Sequence, residues 1–96
     1  MKKQKRKTMY YILVYDIASP KRLPKILKTC RKYLHWIQKS VLEGELTKTQ
    51  FFALKSELNK IIVKKEDSVI FFAIRNKEVM KKEGMGKKTE EKQNFI

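Results

Sequence analysis

A chain of 96 residues with 42% apolar content and a net charge of +14 at neutral pH is one small domain, too apolar for a fully disordered polymer. A single cysteine excludes an internal disulfide, one histidine beside it is no zinc ligand set, and no run approaches the about 20 apolar residues of a membrane span. A cytoplasmic protein without a membrane partner is expected, and because thirteen basic residues face six acidic ones between Met9 and Arg75, its folded body favours phosphate-bearing partners.

Residues 1–8 carry Lys2, Lys3, Lys5, Arg6 and Lys7 without periodicity and read as a basic, disordered extension, a solvated tail rather than a binding arm. Met9 to Ile17 follows as a strand. Its β-branched and aromatic side chains suit a pleated surface, and the unbroken apolar run predicts burial on both faces. Alternation places Tyr11, Leu13 and Tyr15 on one face and Tyr10, Ile12, Val14 and Asp16 on the other. The carboxylate of Asp16 is the misfit, since a charge at the end of a buried strand is costly without a partner.

Leu23, Ile26, Leu27, Cys30 and Leu34 then make a helical stripe, and Pro24 predicts a helix start near Pro20 or Lys21. Its outer face is basic, with Lys21, Lys25, Lys28, Arg31 and Lys32. A strand from about Leu34 bends into or pairs with a second near Val41 to Leu46, with Gly44 read as a bulge or turn residue. Thr47 to Gln50 fits a capping box that opens a helix carrying Phe51, Leu54, Leu58, Ile61 and Ile62. After the polar turn Lys64 to Asp67, Ser68 to Ile74 is a second strand expected to be buried on both faces. Residues 76–96 form a charged tail whose final Phe95 and Ile96 could add an edge strand.

This order predicts an α+β fold, a ferredoxin-like β-α-β-β-α-β sandwich over residues 9–75 with two helices on one face of an antiparallel sheet. The sheet's other face then lacks a cover, so a homodimer that buries it is expected.

Tyr15-Asp16-Ile17 closing the first strand, the basic first helix, Gln38 to Leu46 and Asp67-Ser68-Val69 together resemble the CRISPR-associated protein two family. The resemblance implies a homodimer of ferredoxin-like subunits that works with the CRISPR integrase in spacer acquisition, bridging integrase dimers and laying duplex DNA across a basic surface. It also implies a magnesium-dependent endonuclease on RNA or duplex DNA, with Asp16 at the family's metal-binding, catalytic position. Two features depart from the pattern: Leu42 stands where the family usually carries Phe, and the basic extension before Met9 is atypical.

On the residues alone, Asp16 has a competing structural role, capping the loop at Ala18 and Ser19 or pairing with a lysine. Paired across a two-fold axis, two Asp16 carboxylates suffice for Mg2+, which keeps waters and takes few protein ligands. Lys21, Arg22, Lys25, Arg31 and Lys39 are the candidate nucleic-acid contacts, against the reading of an ordinary solvated face. Tyr10 and Tyr15 read as interface, Cys30 as core, and His35 as solvated or capping. Three functions are open: a non-cutting bridge for the integrase, a metal-dependent endonuclease using Asp16, and a toxin-like ribonuclease of related fold acting without an integrase.

Overall fold

The structure, a computed structural model, describes residues 7–75 and 80–86. Most of the N-terminal extension, and Phe95 and Ile96 with their expected edge strand, lie outside the described residues. The elements run β1 (Thr8–Asp16), α1 (Leu23–Arg31), β2 (His35–Gln38), β3 (Val41–Thr47), α2 (Lys48–Asn59) and β4 (Ser68–Ile74). The four strands form one antiparallel sheet in the order β2-β3-β1-β4, the ferredoxin-like arrangement.

β1 is central, and its register fixes both faces. Leu13 sits opposite Leu42 on β3 and Phe71 on β4, while Ile12 sits opposite Glu43 and Phe72. Tyr11, Leu13 and Tyr15 therefore point toward the helices, where they join Ile26 and Cys30 of α1 and Leu54 and Leu58 of α2 in one buried cluster. Tyr11 and Phe51 stack with centroids 4.5 Å apart, and Phe71 meets both edge-on. Burial pushes the Cys30 thiol up to about 12, as befits a core residue.

The expectation of strands buried on both faces fails within the single chain. Ile70 and Phe72 are 49% and 53% exposed, because β4 is an edge strand and no helix covers the face they share with Ile12 and Val14. Among the described residues, Lys82 reaches that face, its Nζ 2.6 Å from the buried carboxylate of Glu43.

Two local expectations are corrected. Helix α1 begins at Leu23, not Pro20 or Lys21, because the Ser19 carbonyl accepts from the Arg22 and Leu23 N–H groups and forms a tight turn first. Gly44 is neither bulge nor turn. It lies within β3, where an added Cβ would sit 3.1 Å from Leu34 Cδ2, so its missing side chain admits the end of α1 against the strand. The irregularity falls instead between Trp36 and Gln38, ahead of a hairpin whose tip residue Lys39 has a φ of 43°. The capping box is present: Thr47 Oγ1 accepts from Gln50 N at 3.1 Å and Gln50 Oε1 from Thr47 N at 2.8 Å.

Candidate functional site

The last residue of β1 is Asp16, and alternation along the strand puts it on the open face, opposite Ser68. It is exposed, and among the described residues its carboxylate takes part in no hydrogen bond or ion pair. The loop-capping role that competed for Asp16 belongs to Asp67. Asp67 Oδ1 accepts from Ala18 N at 2.9 Å, and its Oδ2 accepts from Val63 N at 2.8 Å. The Arg22 guanidinium completes the clamp, with Nε 2.8 Å from Asp67 Oδ2 and an Nη2 contact of 2.8 Å to Glu66.

This clamp ties the loop leaving β1 to the turn entering β4, and so holds the backbone just after Asp16 and just before its cross-strand partner Ser68. The Asp67 side chain is fully buried. Bonding from Arg22, with the Val63 and Ala18 N–H groups, holds its carboxyl well below the usual carboxylate range. Its partner Arg22 is correspondingly held protonated by Asp67 and Glu66. Sequence reasoning used Asp67 only as a motif residue and missed its capping role, because it sits in a run that reads as an ordinary polar turn. The available signal was local: an aspartate able to bond the N–H four residues before it, just ahead of an apolar strand.

The remaining basic candidates divide by place. Lys21 and Lys25 are exposed on the segment that follows Asp16. Lys39 is exposed on the β2–β3 hairpin, which is held to the end of β1 by a 3.1 Å bond from Tyr15 N to the Ser40 carbonyl. Tyr15 faces the helices, its hydroxyl 3.4 Å from the Lys39 carbonyl, which also accepts from the Trp36 indole at 2.9 Å. Arg31 lies at the far end of α1, its guanidinium 5.7 Å from the centre of the Trp36 ring, about 12 Å of helix away from Leu23. Arg22 is engaged in the clamp, so the structure brings Lys21, Lys25 and Lys39 to the Asp16 end and leaves Arg22 and Arg31 with other contacts.

A second carboxylate on the open face, Glu43, also escaped the sequence reading. It is buried beside Tyr10, whose hydroxyl is pushed up by burial and by the neighbouring Glu43 charge. Glu43 lies opposite Ile12, four residues and about 13 Å along β1 from Asp16. The two cannot share an ion, and among the described residues no three metal-ligating side chains cluster. What remains at the strand end is the exposed Asp16 carboxylate, with Lys21 and Lys25 on the segment that follows and Lys39 on the hairpin bonded to Tyr15. That set fits a magnesium ion only when phosphate oxygens, waters or a second copy complete the coordination.

Comparison with known proteins gives a consistent result. Residues 9–82 match the family model described as CRISPR associated protein Cas2. The chain is 49% identical over 78 residues to the CRISPR-associated endoribonuclease Cas2 of Dictyoglomus turgidum, covering 81% of this chain and 88% of the relative. A crystal structure of cas2 superposes with a TM-score of 0.75 at 38% identity, covering 83% of this chain and 88% of that one. Streptococcus pyogenes Cas2 superposes at 0.69 and 31% identity, over 79% of this chain and all of the other.

Proposed function

The chain belongs to the CRISPR-associated Cas2 family, and from that premise we propose that it is a homodimeric, cytoplasmic nucleic-acid-binding protein that cuts phosphodiester bonds with Asp16 as its metal ligand. The observation that carries this reading is the free Asp16 carboxylate at the rim of an uncovered apolar sheet face, with the loop capping done by Asp67 instead. A charged group held on a rigid strand end, and used by nothing else around it, has the properties of a ligand.

In this reading the open faces of two copies pack together, burying Ile12, Val14, Ile70 and Phe72. The two-fold axis passes near the end of β1 and brings two Asp16 side chains to one place. Lys21, Lys25 and Lys39 of each copy bind phosphates on either side, which positions the strand without reading its sequence. The Arg22–Asp67 clamp keeps the Asp16 backbone from moving as nucleic acid binds. A magnesium ion held there would supply an activated water and offset charge on the phosphate. RNA is the proposed substrate, because the relative from Dictyoglomus turgidum is named an endoribonuclease. Bridging the CRISPR integrase over duplex DNA is the second part of the proposal, supported by the family and by the basic body of the chain.

The test is cleavage and binding of single-stranded RNA and duplex DNA with magnesium or chelator, using wild type and Asp16→Asn. Magnesium-dependent cutting that falls to background in the variant, with binding retained, is the expected result. Cutting that survives in Asp16→Asn would remove Asp16 from the chemistry. Binding without any cutting by the wild type would leave the bridging role alone.

A further inference from the structure

The end of the sheet away from Asp16 holds a second feature that the phosphodiesterase reading does not use. Between the start of β1 and the first turn of α2 lies an open cleft of about 710 Å³, its walls including Lys7, Met9, Lys48, Phe51, Phe52 and Arg75. The two adjacent phenylalanines have different tasks. Phe51 turns inward and stacks on Tyr11, while Phe52 is 53% exposed. The rings are tilted by 43° with centroids 5.8 Å apart, so together they form a stepped aromatic wall. Lys55 Nζ lies 5.0 Å from the Phe51 centroid and 5.9 Å from that of Phe52.

The charge around this wall is of one sign. Lys7, Lys48 and Arg75 line the cleft, Lys55 stands over its rings, and none of the described lining residues is acidic. A purely apolar partner would desolvate these cations for nothing, and a bare anion would have no use for the rings. A flat π-system joined to phosphate satisfies both, and a base can stack only where it is unpaired.

We propose that this cleft is a stacking site for an unpaired base of single-stranded RNA, with Phe52 as the platform and Lys48 and Arg75 on the flanking phosphates. The choice of RNA rests on the substrate reading given above. The cleft lies about 23 Å along β1 from Asp16, so it anchors the strand without touching the reacting end.

The experiment uses the full chain and a short single-stranded RNA carrying one 2-aminopurine, with chelator present so that nothing is cut. Stacking quenches the probe. Wild type and Phe52→Tyr are expected to quench and bind alike, whereas Phe52→Leu, which keeps an apolar side chain but removes the ring, loses the quench and binds about tenfold more weakly. Lys48→Glu weakens binding in the same assay. Quenching retained in Phe52→Leu overturns the proposal, as does equal weakening in Phe52→Leu and Phe52→Tyr. A change of oligomeric state in Phe52→Leu by sedimentation also overturns it, making the cleft a contact between copies. Failures are separable: a wild type that quenches but never cuts with magnesium keeps this site and loses the phosphodiesterase, and one that cuts without quenching does the reverse.

Discussion

The two faces of the sheet are built from similar residues and have different fates. On one, Leu13, Leu42 and Leu46 meet two helices and are excluded from water. On the other, Ile12, Val14, Ile70 and Phe72 are as apolar, yet stay half-covered or exposed, and Lys82 pairs there with Glu43. Composition alone does not separate the two faces; what separates them is that the two helices pack on only one. The helix-covered face accounts for why this chain folds, and the open face for why it should associate.

The largest effect should come from the covered face. Leu54→Ala, which empties a fully buried position, is expected to cost about 2–5 kcal/mol in chemical denaturation. A loss below 1 kcal/mol would mean that the two faces do not differ as described. The open face should respond in another observable. Phe72→Glu is expected to leave the far-UV spectrum of the subunit intact while weakening the proposed dimer by about 2 kcal/mol or more, read as a shift to monomer in sedimentation. If the variant sediments as the wild type does, Phe72 is not in the dimer contact and the asymmetry between the faces needs another explanation.

The smallest effect tests the end where both faces meet the loops. Because Arg22 and two backbone N–H groups favour the charged form of Asp67, its folded carboxyl titrates below the ordinary aspartate value of about 3.9. The clamp's contribution is therefore complete above that value and is lost as pH falls toward the lowered one. Wild-type melting temperature should drop on acidification below about pH 4, and Asp67→Asn should start lower at neutral pH and change less over that range. An unaltered acid profile in Asp67→Asn would assign the acid sensitivity to another carboxylate.

Much of the fold was legible because it rests on local patterns. The apolar stripes of both helices, the alternation in β1 and the Thr47–Gln50 capping box each lie within a dozen residues of chain. What escaped depends on distant partners. The Asp67 turn has a local signal in the Val63 N–H, but its ion pair needs Arg22, 45 residues earlier, and Gly44 is explained by Leu34, in the turn after α1. The same limit applies to the site. Asp16 stood out as a misfit charge, but its lack of a partner could be read only after Asp67 had taken the Ala18 N–H. The grouping of candidate cations likewise depended on α1's direction and on the hairpin that carries Lys39.

The central place of β1 also sets a schedule. Of the elements described it is the first to be synthesised, its neighbour β3 ends at Thr47, and its other neighbour β4 ends only at Ile74. At about 5–20 residues per second, the 58 residues between Asp16 and Ile74 take roughly 3–12 s to synthesise. For that interval the stretch from Tyr10 to Tyr15, free of charge and proline, has no complete sheet to join. Nascent chains are therefore most vulnerable to self-association before β4 emerges, and slowing translation upstream of Ser68 should lower soluble yield without altering the stability of the finished protein.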